Sequence, residues 1–221
     1  MKRPLNMINR LFTIGHSNLD IESFTSLLTQ YNVTALADVR SSPYSRYLPH
    51  FNQDNLKRTL LDSGIKYVFL GQELGARPKD QNCYIEGKAV YEEIAKTQLF
   101  SQGIDRVFKG SQSYNIALMC AEKDPITCHR AILVCQHLKS FPIEINHILQ
   151  DGKIESHQQL ESRLLNIHNL GQSDREQLVQ LSLFDSLPAQ IPCQTLSLED
   201  SLKEAYRRQG NKIAYVEKTH E

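Results

Sequence analysis

Short apolar runs alternate with amphipathic segments over the first 150 residues of the chain. The runs are RLFTIG, VTALAD, IKYVFLG, NIALMC and IEINHIL, and turn formers or charged residues bound them, as is typical of buried strands. Between them, IESFTSLLTQYN, NLKRTLLDSG and YEEIAKTQLFSQGIDRVFK repeat apolar residues at helical spacing. Because parallel strands need crossover connections, this alternation predicts a three-layer α/β fold with a mainly parallel sheet of about five strands and helices on both faces.

Two segments depart from this alternation. Residues 71–89 form a long connection between a strand and a helix, and connections of this length inside a compact domain are often functional. Residues 171–221 hold two helical patterns separated by Pro188 and Pro192, and Ser197 with Asp200 is typical of a helix start. We therefore predict an α/β domain over residues 1–170 and a C-terminal helical tail over residues 171–221.

Composition limits the partners that the chain can attract. Its 221 residues include 25 basic and 25 acidic side chains, so no overall field draws it to nucleic acid or to an anionic membrane. Any contact with nucleic acid therefore requires a local patch. No apolar run approaches the span of a bilayer, and five cysteines without a Cys-x-x-Cys pair fit a reducing compartment. We expect a cytoplasmic protein with no membrane partner.

Polar and titratable residues follow each predicted strand. The carboxyl ends of parallel strands meet at one edge of the sheet, where α/β proteins bind their ligands. These residues therefore predict one shared site. They are His16, Ser17, Asn18, Asp38, Arg40, Gln72, Glu73, Cys120, Glu122 and His147.

The stretch YNIALMCAEKDPITCHR at residues 114–130 contains a cluster of nucleophilic and charged side chains. An apolar strand runs directly into two cysteines, a glutamate, a histidine and an arginine, and the helix-forming segment AILVCQHLK follows at once. The unpaired N–H groups at a helix start favour anions and lower the pKa of a nearby thiol. This position predicts that Cys128 is the more acidic thiol and that Arg130 clamps a substrate anion.

Three chemistries are open at this edge. In the first, a carboxylate acts as general acid or base while cationic and polar groups hold a phosphate or carboxylate of the substrate. The candidate carboxylates are Asp38, Glu73 and Glu122, and the candidate anion-binding residues are His16, Ser17, Arg40, Arg46, Arg77, His129 and Arg130. In the second, Cys120 or Cys128 is a nucleophile or a redox thiol.

The third chemistry is zinc binding. Its candidate ligands are His16, Cys120, Cys128, His129 and His147. The spacing Cys-x7-Cys-His matches no standard zinc pattern. The sequence therefore assigns no metal ligand and predicts no cofactor, and zinc stays an alternative.

Four ordered motifs carry a resemblance to a known family. They are TIGHSN at residues 13–18, DVRSSPYSRYLPHF at 38–51, FLGQELGARP at 69–78 and MCAEKDPITCHR at 119–130, and the tail pattern EAYRRQGNKIAYVE agrees with them. With these motifs the chain resembles the domain of unknown function 488 family. The resemblance implies an α/β fold and a site that brings together His16, Asp38, Arg40, Glu73, Cys120, Glu122, Cys128, His129 and Arg130. It implies no reaction, because the family is named for its lack of an established activity.

A second resemblance lies in the tail. The segment QLSLF, with Gln180, Leu181, Leu183 and Phe184, is similar to the short peptide by which bacterial polymerases and repair proteins dock on the sliding clamp. In such a peptide the apolar side chains enter a pocket and the glutamine fixes the orientation by hydrogen bonds. The same apolar side chains are equally suited to packing the tail onto the domain, so both interpretations stay open.

The leading hypothesis is a hydrolase-type enzyme of nucleic-acid maintenance that acts on a glycosidic or phosphodiester bond. Its catalytic candidates are Asp38, Glu73, Glu122, Cys120 and Cys128. Tyrosines in the loop at residues 41–51 are suited to stacking on a base. One alternative is a thiol-dependent enzyme on a small molecule, with Cys120 and Cys128 central. Another is a non-enzymatic adaptor that docks a partner through its tail. The expected partners are a nucleic acid and a sliding clamp.

Overall fold

The computed structural model describes residues 9–171 and 197–217. In chain order the strands are β1 (Asn9–Gly15), β2 (Ala35–Asp38), β3 (Lys66–Phe69), β4 (Tyr84–Ile85), β5 (Lys88–Ala89), β6 (Ile116–Cys120), β7 (Ile143–Ile148) and β8 (Ile154–Ser156). The helices are α1 (Ile21–Gln30), α2 (Gln53–Asp62), α3 (Gly71–Leu74), α4 (Tyr91–Lys96), α5 (Gln98–Ser111), α6 (Gln136–Leu138), α7 (His157–Ile167) and α8 (Leu198–Ile213). A π-helix, Arg130–Cys135, leads directly into α6.

Six strands form the central sheet, in the order β3-β2-β6-β1-β7-β8. The pairs β3-β2, β2-β6, β6-β1 and β1-β7 are parallel, whereas β7-β8 is antiparallel. The predicted mainly parallel α/β sheet is therefore confirmed, with β8 as an additional edge strand. In the parallel part, the carboxyl ends of β1, β2 and β6 lie side by side.

Apolar side chains alternate between the two faces of the sheet. On β6, Leu118 belongs to a core that includes Phe100 and Ile104 of α5, whereas Met119 belongs to a second core with Phe24 of α1 and Leu56 of α2. The alternation follows from the period of two along a strand. Helices thus cover both faces, and the predicted three layers are confirmed.

The connection at residues 71–89 contains regular structure. It begins with α3, continues through a 3-10 turn at Gln81–Cys83, and ends in the two-stranded antiparallel sheet β4-β5. Lys88 forms an isolated antiparallel bridge with Val216, which follows α8. The predicted long connection is therefore a small folded unit that the C-terminal part of the chain holds in place.

Helix α8 confirms the predicted C-terminal helix. The side chain of Ser197 accepts a hydrogen bond from the backbone N–H of Asp200, as the sequence predicts for this helix start. Further along, Ala205 and Tyr206 are buried in the larger core, and the helix packs against α7. Within the described ranges, no helix is long and apolar enough to cross a bilayer. The segment QLSLF lies outside the described residues.

A chain of hydrogen bonds crosses the core and ends at α8. Tyr206 Oη donates to Glu161 Oε1 at 2.9 Å and accepts from His157 Nε2 at 3.0 Å. His157 Nδ1 in turn accepts from His147 Nε2 at 3.1 Å, and His147 Nδ1 accepts from Thr13 Oγ1 at 2.8 Å. Each imidazole uses one nitrogen as donor and the other as acceptor, so the chain of bonds is complete only when both histidines are neutral.

Candidate functional site

A cavity of about 420 Å³ lies at the carboxyl edge of the central strands. It is lined by His16, Arg40, Ser41, Ser42, Tyr44, Ser45, Ala76, Arg77, Tyr91, Cys120, Ala121, Glu122, Thr127, His129, Ile213 and Tyr215. Six of the predicted site residues are among them: His16, Arg40, Arg77, Cys120, Glu122 and His129. The strand ends and the loops after them therefore converge on one cavity.

The loop after β6 forms the first wall of the cavity, and the side chain of Arg130 holds this loop in place. This side chain is fully buried, and its guanidinium donates to the backbone oxygens of Glu122 at 2.7 Å and Lys123 at 3.2 Å. Its Nε atom faces Thr13 Oγ1 at 3.4 Å. The sequence alone predicts that these donors bind a substrate anion. The structure instead assigns them to the loop, so Arg130 positions Glu122.

Gly15 lets this loop approach β1. A Cβ atom at that position would lie 1.8 Å from the backbone oxygen of Glu122, so no larger residue fits without moving the loop. The backbone N–H groups of His16 and Ser17 donate to the oxygens of Cys120 and Ala121 at 3.0 and 2.8 Å. The close approach thus extends the β1-β6 pairing past the strand ends.

Cys120, Cys128, His129 and Glu122 form a compact cluster on this wall. His129 Nδ1 lies 3.7 Å from Cys120 Sγ and 4.0 Å from Cys128 Sγ, and the Cys128 thiol donates to Glu122 Oε2 at 3.0 Å. The imidazole orientation is fixed from the other side, because Nε2 donates to the backbone oxygen of Val39 at 3.0 Å. His129 therefore directs Nδ1 at both sulfurs.

The two thiols differ in acidity. Burial opposes ionisation of Cys128, but a hydrogen bond from Cys120 and the charges of Arg130 and His129 hold its pKa well below the ordinary value. The hydrogen bond to Cys128, together with burial, raises the pKa of Cys120. Cys128 directly precedes the helical stretch, and the backbone N–H of Arg130 faces its Sγ at 3.5 Å. Cys128 is thus the more acidic of the two thiols.

Asp38 and Arg40 form the second wall. Arg40 donates to both carboxylate oxygens of Asp38, from Nε at 2.9 Å and from Nη2 at 2.7 Å, and Tyr67 Oη adds a third bond at 2.8 Å. Asp38 is fully buried and does not line the cavity. Its carboxylate therefore fixes Arg40 in place, whereas its position after β2 predicts a general acid or base.

His16 lies between this pair and the cavity. Its ring stacks on Phe51 with centroids 4.2 Å apart, Nδ1 donates to the backbone oxygen of Ser17, and Nε2 accepts from Arg40 Nη1 at 3.3 Å. Burial, followed by the charge of Arg40, lowers the pKa of His16 to about 4. The imidazole is therefore neutral near pH 7, and it gives the cavity lining a polar group without charge.

The third wall comes from distant parts of the chain. Arg77 places its guanidinium 4.3 Å from the ring centroid of Tyr215, a cation–π contact, and Tyr91 and Ile213 complete the surface. In the described ranges, no carboxylate forms an ion pair with Arg77. The strand-end pattern of the sequence does not predict Tyr91, Ile213 or Tyr215 as site residues. The tail motif EAYRRQGNKIAYVE, which contains the last two, was their only signal.

Several expected site residues lie elsewhere. Glu73 pairs with Arg106 on α5 and lines a separate groove, and His147 is enclosed in the core. Ser17 and Arg46 do not line the cavity. The cavity therefore uses the ends of β1, β2 and β6, but not the carboxylate after β3.

The chain matches a known protein family. A family model described as Domain of unknown function DUF488 matches residues 20–136, more than half of the chain. No curated protein and no solved structure matches the chain. The matched region includes Arg40, Arg77 and the Cys120–His129 cluster, and it excludes His16 and α8.

Proposed function

Because the chain belongs to the DUF488 family, whose name states no activity, its function has to be argued from its site, and we propose a hydrolase-type enzyme acting on a nucleotide or on one nucleotide unit of a nucleic acid. The observation that carries this proposal is Arg77. It is a cation at the cavity, stacked on an aromatic ring and without an ion-pair partner in the described ranges, and the carboxylate of Glu122 lines the same cavity.

The cavity has two kinds of group that bind a nucleotide, a cation for the phosphate and aromatic rings for the base. Arg77 supplies a planar set of donors suited to a phosphate. Tyr44, 68% exposed at the cavity, and Tyr215 supply ring faces on which a base stacks. The cavity volume of about 420 Å³ falls in the range of small-molecule sites. With no net charge on the chain, a single nucleotide unit is favoured over a long duplex footprint.

The bond cleavage would take place beside Glu122. A water molecule attacks the phosphodiester or glycosidic centre and its proton passes to the Glu122 carboxylate; the bond to the leaving oxygen or nitrogen breaks, and the protonated Glu122 returns this proton to the leaving atom. Arg130 holds the backbone at Glu122, so the carboxylate keeps a fixed position relative to the cavity.

We expect Arg77→Ala to weaken binding of a nucleoside monophosphate about 10-fold, because a charge-assisted contact to phosphate contributes roughly 1.5 to 3 kcal/mol and solvent exposure reduces it. Isothermal titration calorimetry at low and at physiological salt measures the change. Arg106→Ala is the matched control, since Arg106 pairs with Glu73 outside the cavity. Equal affinities of Arg77→Ala and wild type, or no binding of nucleotides and oligonucleotides by wild type at low salt, would contradict the proposal.

A thiol-dependent enzyme acting on a small molecule is the second function that the cluster raises. Its support is the position of Cys128 before a helical stretch. Only 1% of Cys128 is exposed, however, and the residue does not line the cavity. A substrate in the cavity meets Cys120 and Glu122 before it meets this sulfur, so the geometry favours the hydrolytic proposal.

We further propose that the segment QLSLF docks on a bacterial sliding clamp. The segment connects α7 to α8, both of which pack on the domain, so a docking peptide here is tethered at both ends. We expect Leu183→Ala combined with Phe184→Ala to abolish binding to a purified clamp in surface plasmon resonance, with unchanged unfolding free energy. A loss of about 2 to 5 kcal/mol of stability would show instead that these side chains pack on the domain.

A further inference from the structure

We infer that Cys120, Cys128 and His129 bind a zinc ion whose fourth position faces the cavity beside Glu122. The inference goes beyond the proposed function, because the ligands are defined without any substrate. Only the use of the ion in hydrolysis rests on that function.

The ligand atoms already lie at near-tetrahedral separations. Zinc bonds of about 2.3 Å to sulfur and about 2.0 to 2.1 Å to nitrogen put neighbouring ligand atoms roughly 3.5 to 3.8 Å apart. His129 Nδ1 lies 3.7 and 4.0 Å from the sulfurs of Cys120 and Cys128. The ligand atoms of these residues and Glu122 all lie within 4.8 Å of one another. The two nitrogen–sulfur separations are within about 0.5 Å of the tetrahedral value, and a contraction of at most about 1 Å brings every other pair into coordination range.

Outer contacts hold the ligands in the required orientation. The Nε2–H of His129 donates to the backbone oxygen of Val39, which leaves Nδ1 as the ligating atom. Zinc-bound histidines usually make such a bond with their second nitrogen. The backbone N–H of Arg130 faces Cys128 Sγ at 3.5 Å, a contact suited to a thiolate. These contacts exist before any ion is added, so little reorganisation opposes binding.

The donor types select the metal. Two thiolates and one imidazole suit zinc and disfavour magnesium or calcium, which prefer oxygen ligands. Both thiols are free and buried, and the guanidinium of Arg130 is engaged with backbone oxygens. A divalent cation would supply the positive charge that two buried thiolates require.

The open side of the site is also defined. Cys120, Glu122 and His129 line the cavity, whereas Cys128 lies behind them. Three protein ligands with one position open to a cavity is the arrangement of catalytic zinc, which lowers the pKa of its bound water. A water molecule in this position would lie beside the Glu122 carboxylate. This is the water that the proposed hydrolysis requires.

Zinc content of the purified full chain tests the inference. We expect about one zinc per chain by inductively coupled plasma mass spectrometry, and a loss of most of it in Cys120→Ser, Cys128→Ser and His129→Gln. Cys135→Ser is the matched control: Cys135 is equally buried, lies in the adjoining π-helix and is outside the ligand set, so this variant should keep its zinc.

Cobalt substitution covers the case in which a ligand variant fails to fold. Wild-type chain stripped by a chelator and loaded with Co²⁺ should show the intense visible bands of a tetrahedral ion and thiolate charge-transfer absorption. The inference would be overturned if the purified chain contained no metal and its cobalt form showed only a weak octahedral spectrum. A disulfide between Cys120 and Cys128 would overturn it as well. Zinc in both wild type and Arg77→Ala, with no nucleotide binding by wild type, would contradict the proposed function and leave the zinc site standing.

Discussion

Replacing Arg130 with alanine should lower the free energy of unfolding by about 3 to 5 kcal/mol, the largest effect that we expect from a single substitution here. Two costs combine. The backbone oxygens of Glu122 and Lys123 lose their buried donor, and a cavity opens where the guanidinium was fully enclosed. Urea denaturation followed by circular dichroism measures the change.

Arg130→Lys separates the charge from the geometry. One ammonium group keeps the positive charge but cannot reach Glu122, Lys123 and Thr13 together, so we expect an intermediate loss of about 1 to 2 kcal/mol. Arg106→Ala, at an exposed ion pair, should cost less than about 1 kcal/mol. If Arg130→Ala behaves like Arg106→Ala, the loop after β6 does not depend on this side chain.

Acid should destabilise the protein through His157. Burial lowers its pKa in the folded chain to about 4, whereas the unfolded value is about 6.5. Between these values the unfolded chain takes up a proton that the folded chain refuses, so stability falls as pH drops from about 6.5 to 4. The difference corresponds to about 3 kcal/mol from this residue. His147, whose pKa burial also lowers, changes stability in the same direction.

The hydrogen-bond pattern gives the physical reason. A proton on His157 Nδ1 would face the Nε2–H of His147, so a donor would meet a donor in the core. His157→Gln should therefore flatten the dependence of unfolding free energy on pH between 4 and 6.5. Measurements at pH 7.5, where both histidines are neutral, give the baseline of each protein. Parallel curves for wild type and His157→Gln would show that this chain of bonds does not control acid stability.

Most of the fold follows from local pattern. The five apolar runs correspond to β1, β2, β3, β6 and β7, because strands covered by helices on both faces are mainly apolar. The pattern missed β8, with three residues at the sheet edge, and the pair β4-β5, with two residues each. Strands this short carry too few side chains to show a period. The bridge from Lys88 to Val216 is held by tertiary contacts that no local window contains.

The sequence predicts where the site lies, but not what each side chain does there. Strand ends converge whenever strands are parallel, which is why His16, Arg40 and Glu122 were found. The direction of a long side chain depends on its surroundings. Whether Arg130 points into the cavity or at the Glu122 backbone depends on how closely the loop approaches Gly15, and sequence spacing does not contain that distance. Likewise, nothing near Arg77 in sequence indicates that Tyr215 stacks on it.

The C-terminal wall of the cavity has a consequence for biosynthesis. Ile213 and Tyr215 are made long after the strands that carry His16 and Arg40, and helix α8 docks through Tyr206. A nascent chain translated only as far as residue 200 has its parallel strands but an open cavity, and Arg77 lacks its aromatic partner. Ligand capture should therefore begin only once residue 215 has left the ribosome.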